Sequence, residues 1–199
     1  MGVASPWKGM TRRLRINHLK EKSMGLIKVL LLLGLVLISG CRSVSNLPAI
    51  RAVESVDLTK FAGDWYVIAN IPTFIERQAY NAIESYSEPV DGKVATTFSF
   101  NEGGFDGKEK TYHPTAFIQE GTGNGVWGMQ FVWPIKAEYR IVYIDSAYQF
   151  TIIGRSKRDY VWLMAREPSI AEADYDRLLR IIDAEGYDLD KVRMVPHQI

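Results

Sequence analysis

The chain has 199 residues, with 24 Lys and Arg against 23 Asp and Glu, and a single cysteine. Seven of the basic residues and one of the acidic residues precede Cys41, so the chain from Cys41 onward carries 17 basic against 22 acidic residues, a net charge near −5. This balance argues against a nucleic-acid partner, and the lone cysteine excludes an internal disulfide. The 159 residues from Cys41 to Ile199 suffice for one domain.

The first forty residues have the pattern of an export signal. An apolar run from Val29 to Ile38 suits the core of a signal peptide and is too short to span a bilayer. The small residues Ser39 and Gly40 then precede Cys41, as in the lipobox of lipoproteins. We predict that residues 1–40 are a signal peptide and that Cys41 is acylated. Residues 1–23 are either part of this signal or only an extension upstream of a start at Met24. The alternative is an ordinary signal followed by a structural cysteine.

Acyl chains on Cys41 would anchor the protein in a membrane, because each buried CH₂ contributes roughly 0.8 kcal/mol and two or more chains hold stably. The next residue is Arg42 rather than the aspartate that retains many lipoproteins at the inner membrane. We therefore expect lipid anchoring in the outer membrane, with the domain facing the periplasm. Residues 41–56 contain Ser, Asn and Pro without periodicity and are predicted to be a tether.

Beyond Leu58, short strand-like segments alternate with turns rich in Gly, Asn and Asp, which predicts an antiparallel sandwich or barrel. The predicted strands are 64–71, 79–88, 93–100, 108–119, 126–132, 138–144, 149–154 and 160–166. The segment 191–195 is predicted to add a further strand.

A helix is predicted after the last of these eight strands. Pro168 and Ser169 open it, Ser169 and Glu172 have the spacing of a capping box, and Gly186 is placed to end it. Apolar residues recur at helical spacing on one face, at Tyr175, Leu178, Leu179 and Ile182. Several strands are apolar on both faces, so we expect this helix to pack against the outside of the barrel.

Three short motifs stand at the ends of predicted strands. Gly63-Asp64-Trp65-Tyr66 begins the first strand, Asp145-Ser146-Ala147-Tyr148 forms a turn, and Arg166 ends the last barrel strand. The first resembles the G-x-W motif of the lipocalin family, and the second matches its D-x-x-Y turn. The chain is most similar in these motifs to the bacterial outer-membrane lipocalin lipoproteins. The resemblance implies an all-β fold over residues 57–199, an eight-stranded antiparallel up-and-down barrel with one C-terminal α-helix packed outside.

The same resemblance implies that one end of the barrel is closed. Trp65 would cover the floor, and Arg166 would stack on its ring while donating to backbone carbonyls, an interaction worth on the order of 0.5–2 kcal/mol. The residues expected at this structural floor are Gly63, Trp65, Asp145, Tyr148 and Arg166.

A closed floor leaves room for a cavity above it. Trp127, Met129 and Phe131 alternate on one face of a predicted strand, and by analogy with lipocalins Met129 and Phe131 point inward. Tyr139 is a further candidate for the lining, and Phe74 for the rim. The alternative is that these side chains only fill a packed core.

Few residues point to chemistry. Only His113 and His197 remain beyond the signal, no catalytic or metal-binding motif is present, and we expect no enzyme activity, cofactor or metal. We predict a membrane-anchored lipid-binding protein that stores or carries a fatty acid, a lysophospholipid or a similar amphiphile for envelope maintenance. The alternatives are an enzyme acting on a hydrophobic substrate and a packed envelope scaffold. The sequence leaves open whether two copies form a homodimer.

Overall fold

The computed structural model describes residues 49–198. Its strands are β1 (Gly63–Ile71), β2 (Ala79–Tyr86), β3 (Lys93–Glu102), β4 (Lys108–Tyr112), β5 (Thr115–Ile118), β6 (Val126–Val132), β7 (Ile135–Ile144), β8 (Phe150–Gly154), β9 (Val161–Ala165) and β10 (Arg193–Met194). Its helices are α1 (Leu58–Phe61), α2 (Glu172–Ala184) and a 3-10 turn at Leu189–Lys191.

The strands close into a barrel. Antiparallel pairing runs through β1, β2, β3, β5, β6, β7, β8 and β9, and β9 pairs back onto β1. Strand β4 pairs with the second half of β3 and β5 with its first half, so the two occupy one position in the barrel. The result is an eight-stranded antiparallel barrel with one helix after it, which confirms the predicted fold class.

The break between β4 and β5 differs from the single strand predicted over 108–119. It falls at His113-Pro114. Proline has no backbone N–H to donate to a neighbouring strand, so it interrupts a ladder that its flanking residues continue on either side. The Pro114 carbonyl still accepts a hydrogen bond from the Thr96 N–H at 3.1 Å, which keeps β3 alongside.

The two ends of the barrel differ. At one end, α1 leads into β1 and the turn between β7 and β8 holds Asp145 and Tyr148; we call this the closed end. At the opposite end lie the connection 72–78 between β1 and β2 and the hairpin where Val132 of β6 pairs with Ile135 of β7; we call this the mouth. Strand β10 pairs with β1 at Ala69 and Asn70, nearer the mouth than the residues of β1 that pair with β2.

Two apolar clusters stabilise the fold. One lies inside the barrel and is centred on aromatic residues near the closed end, and the other lies between the outer surface of the barrel and α2. Strand β9 serves both, since Trp162 and Met164 contact the inner cluster while Val161 and Leu163 contact the outer one. This explains the apolar residues on both of its faces.

Helix α2 packs on the barrel as predicted. Leu178 and Ile182 are fully buried, and Tyr175 and Leu179 are partly buried against the same outer cluster. After the helix, Gly186 has φ of 84°, and the Tyr187 N–H donates to the Ile182 carbonyl at 3.3 Å. Such a left-handed residue just beyond a helix is what a glycine accommodates without strain.

The predicted capping box at the start of α2 is wrong. The N-cap residue is Ala171, which makes no side-chain capping bond, and the helix begins at Glu172. Glu172 therefore cannot reach back from the third helical position to Ser169. Ile170, which precedes the N-cap residue, is partly buried against the outer cluster. The acidic Glu172 and Asp174 in the first turn instead stabilise the positive end of the helix dipole.

The signal peptide, Cys41 and the first half of the predicted tether, residues 41–48, lie outside the described residues. Where the chain is described at its start, the Val53 N–H donates to the Ile141 carbonyl and the Val56 N–H to the Gly123 carbonyl, both on the barrel. Between residues 49 and 198, no helix has the length and apolar character needed to cross a membrane.

Candidate functional site

The closed end is built around Trp65 and Arg166. Trp65 is fully buried, and its indole N–H donates to the Phe61 carbonyl at 2.9 Å. The Arg166 guanidinium lies over the Trp65 ring, 3.8 Å from its centroid. Its N–H groups donate to five backbone carbonyls, those of Lys60, Phe61, Ala62, Asp64 and Tyr148. One side chain thus ties α1, β1 and the β7–β8 turn together.

The other three residues expected at the floor lie beside this pair. Asp145 caps its own turn, because its carboxylate accepts the N–H groups of Gln149 at 2.7 Å and Phe150 at 2.6 Å. The Tyr148 hydroxyl accepts the Asp57 N–H at 2.8 Å. Gly63 has φ of 96°, and a Cβ there would lie 3.5 Å from an Arg166 nitrogen. The five residues therefore form one connected structure.

Above the floor, a cavity of about 480 Å³ opens at the mouth. Of the residues expected to line it, Met129, Phe131, Tyr139 and Phe74 do so. The other lining residues are mostly apolar and include Ile75, Phe98, Tyr112, Val132, Ile135, Ala137 and Trp162. Met129 is buried deep in the wall, whereas Phe131 is 46% exposed and stands at the rim. The upper half of the barrel can hold an apolar ligand.

Trp127 does not line this cavity, which corrects its assignment to the ligand site. It is 2% exposed and packs in the aromatic core of the closed end. Its ring is stacked on Tyr139 at 5.4 Å and meets Phe61 edge to face. Trp127 and Met129 do lie on the same face of β6, but Trp127 is nearer the floor and lies below the cavity. The lower half of the barrel is a packed core.

Two buried glutamates face the cavity, and neither was among the predicted lining residues. Glu76 is 2% exposed, and three N–H groups donate hydrogen bonds to its carboxylate. It accepts the Thr73 N–H at 2.8 Å, the Trp162 indole N–H at 3.0 Å and the Asn70 amide at 3.3 Å. The Arg193 guanidinium donates to the Glu76 carbonyl at 2.7 Å. Glu76 therefore fixes the β1–β2 connection to the barrel wall.

Glu84 is placed differently. It is buried, lines the cavity, and pairs across the ladder with Trp65, so that its side chain points inward beside the floor. Burial raises the pKa of Glu84 to about 7, with Glu76 adding to the rise and a hydrogen bond from Tyr86 opposing it. The Tyr86 and Tyr139 hydroxyls share a short hydrogen bond, and burial raises the pKa of both well above its usual value. The sequence contains a pattern that indicates this inward position, because Glu84 alternates with Ala82 and Tyr86 on one face of a predicted strand.

The mouth is bordered by exposed apolar residues. Trp133 at the tip of the β6–β7 hairpin is 82% exposed, and Phe74 in the β1–β2 connection is 78% exposed. Val132 and Ile135 on the hairpin are also exposed. We call these four residues the collar. Exposed apolar groups gathered around a cavity entrance are typical of a surface that meets a partner or a membrane.

The two histidines of the described residues have different surroundings. His113 lies at the mouth, where its Nδ1 is 3.3 Å from the Thr97 hydroxyl. His197 binds the Val67 carbonyl through Nε2 at 2.9 Å, and burial lowers its pKa. Within residues 49–198, no group of three or more His, Cys, Asp or Glu side chains could hold a metal ion.

Comparisons with known proteins agree with this architecture. A family model described as a lipocalin-like domain matches residues 56–197. The chain is 26% identical over 155 residues to temperature-induced lipocalin-1 of Arabidopsis thaliana, covering 73% of this chain and 82% of that protein. It is 22% identical over 173 residues to the outer membrane lipoprotein Blc of Vibrio cholerae serotype O1, covering 85% and 98%. Insecticyanin from the tobacco hornworm Manduca sexta has a similar fold, with a TM-score of 0.61 at 17% identity, over 76% of this chain and 86% of that one.

Proposed function

The chain belongs to the lipocalin-like family, and we propose that it binds a single-chain amphiphile, such as a fatty acid or a lysophospholipid, in the cavity above its closed floor. The observation that carries this proposal is an apolar cavity of about 480 Å³ that is sealed below and open at the mouth. This volume lies in the usual range of small-molecule sites. Each CH₂ moved from water into such a cavity contributes roughly 0.8 kcal/mol.

A titration with the fluorescent fatty acid cis-parinaric acid tests this proposal. The full chain carrying Cys41→Ser, and therefore unlipidated, should bind one molecule per chain in a saturable way. An unlabelled lysophospholipid should displace it. If the emission rises in proportion to added probe without saturating, or if nothing displaces it, the cavity does not bind such lipids. A ligand recovered chemically unchanged favours carriage over the enzymatic alternative.

We also propose that the protein is attached to the outer membrane through acylated Cys41, with the domain in the periplasm. The order of the apolar run, the small residues and the lone cysteine supports this. The relative from Vibrio cholerae is by name an outer membrane lipoprotein and spans 98% of its length in the match. The mass of the amino-terminal peptide of the mature protein tests it, because an unmodified cysteine there would contradict the anchor.

The collar supports exchange of the ligand with that membrane, and Trp133 offers a test. A tryptophan at a hairpin tip suits the bilayer interface, where its ring is apolar and its N–H stays wet. Trp133→Ser in the unlipidated full chain should weaken binding to phosphatidylcholine vesicles by roughly ten- to a hundredfold, as expected from losing about 1.5–3 kcal/mol of apolar burial. Co-sedimentation of protein with vesicles measures this.

The matched control is Val90→Ser. Val90 is 70% exposed, like the collar residues, but it lies in the turn after β2 at the closed end. It should leave vesicle binding unchanged. Equal weakening by both substitutions would mean that the mouth has no special role at the membrane.

A further inference from the structure

Glu84 has an unmet capacity for hydrogen bonds inside the cavity. An ionised carboxylate offers about four acceptor sites, and the hydrogen-bonding partner of Glu84 among the described residues is the Tyr86 hydroxyl. Glu76, another carboxylate in the lining, accepts three N–H groups. The comparison shows that the fold supplies several donors to a buried carboxylate with a structural role, and that Glu84 lacks such donors.

No cation of the described chain neutralises Glu84. The ion pairs between residues 49 and 198 involve six other acidic residues, at 57, 102, 138, 159, 174 and 188. The one arginine in the cavity lining, Arg155, pairs with Asp159 at 3.4 Å. Glu84 thus contributes a negative charge without a paired cation, or a neutral carboxyl group, to a cavity whose other lining residues are mostly apolar.

This arrangement distinguishes the two ends of an amphiphile. A hydrocarbon end pressed against Glu84 would cut the carboxyl group off from water without giving it a donor, which is costly. A carboxylate end would place two like charges together, so that one of them must take up a proton. A hydroxyl or ammonium end would donate to the free oxygen, and an ammonium would also pair with its charge.

We infer that the ligand presents a hydroxyl or ammonium group to Glu84, so that a long-chain alcohol or amine binds more tightly than a fatty acid of equal length. This inference rests on the proposed function, since it concerns which amphiphile the same cavity prefers. The chain of the ligand then runs upward past Met129 toward the apolar collar. Glu84 is the specificity-determining residue. The Tyr86 hydroxyl holds its carboxyl group in place, and Tyr86 itself shares a hydrogen bond with Tyr139.

The test uses the unlipidated full chain at pH 8 and the neutral fluorescent probe N-phenyl-1-naphthylamine. Decylamine, decanol and decanoate have equal chains and compete for the bound probe. Decylamine should displace it at a concentration roughly ten- to a hundredfold lower than decanoate, because a hydrogen bond to a charged group has about that worth. Decanol should fall between them.

Glu84→Gln should bring decylamine and decanoate to within about threefold of each other while the probe still binds, because the amide keeps the size of the side chain and loses its charge. The control Glu88→Gln removes the same charge from an exposed residue in the turn after β2. It should keep the full preference.

The outcomes separate the two proposals. Equal displacement by all three ligands in the unsubstituted cavity would overturn the inference and leave lipid binding intact, and it would mean that water satisfies Glu84. A preference for the amine that survives Glu84→Gln would also overturn it. Failure of the probe and of every ligand to bind would contradict the proposed function itself.

Discussion

Trp65→Ala should lower the free energy of unfolding by roughly 3–5 kcal/mol, the usual cost of emptying a buried aromatic site. Trp65 is fully buried, contacts Phe61 at a ring distance of 5.2 Å and supports the Arg166 guanidinium. Its removal leaves a void at the base of the inner cluster. Urea denaturation of the unlipidated full chain measures the loss.

Trp133→Ala is the matched control, because Trp133 is 82% exposed and carries no part of the core. It should change the free energy of unfolding by less than about 0.5 kcal/mol. Arg166→Ala should cost less than Trp65→Ala, since some of the carbonyls that it binds face water. The double variant should show a coupling energy of about 0.5–2 kcal/mol between the two side chains. Strictly additive losses would show that the stacked pair does not hold the floor.

Met129→Glu should weaken binding of cis-parinaric acid by at least about tenfold without unfolding the barrel. Met129 is 4% exposed and lines the cavity wall. A carboxylate there can reach water through the mouth of the empty cavity, but an entering acyl chain would strip that water away at a cost of several kcal/mol. Circular dichroism checks the fold, and fluorescence titration measures the affinity.

Gln130→Glu is the control for this substitution, since Gln130 neighbours Met129 on the opposite face of β6 and does not line the cavity. It should bind the probe as the parent chain does. Weaker binding on Gln130→Glu with intact binding on Met129→Glu would mean that the inward register of β6 is off by one residue. If neither substitution changes binding of the probe, the result favours the alternative of a packed scaffold.

Much of the fold could be predicted because its signals are local. Glycine and aspartate turns delimit the strands, and the period of Leu178 and Ile182 marks the face of α2. The contact of Trp65 with Arg166 could be expected only through the resemblance to lipocalins, because 101 residues separate them in the chain. The predicted capping box is wrong because α2 begins at Glu172, two residues later than a cap at Ser169 requires.

The site was less predictable, because the alternation of residues along a strand indicates which face each residue occupies. It does not indicate how deep the cavity reaches into the barrel. Trp127 and Met129 share an inward face, yet the cavity ends between them. Glu84 was not among the residues predicted to line the cavity. Its inward position follows from the ladder with β1, where it pairs with Trp65. Only the assembled barrel places a carboxyl group in the cavity.

The central claim, that the cavity carries a single-chain amphiphile, is tested most directly by native mass spectrometry of the protein extracted from its own membranes. We expect a complex with one single-chain lipid per domain, released chemically unchanged by organic solvent and absent from a Met129→Glu variant prepared in parallel. Recovery of the domain without any bound lipid, or of the same lipids in equal amount on the Met129→Glu variant, would contradict the account.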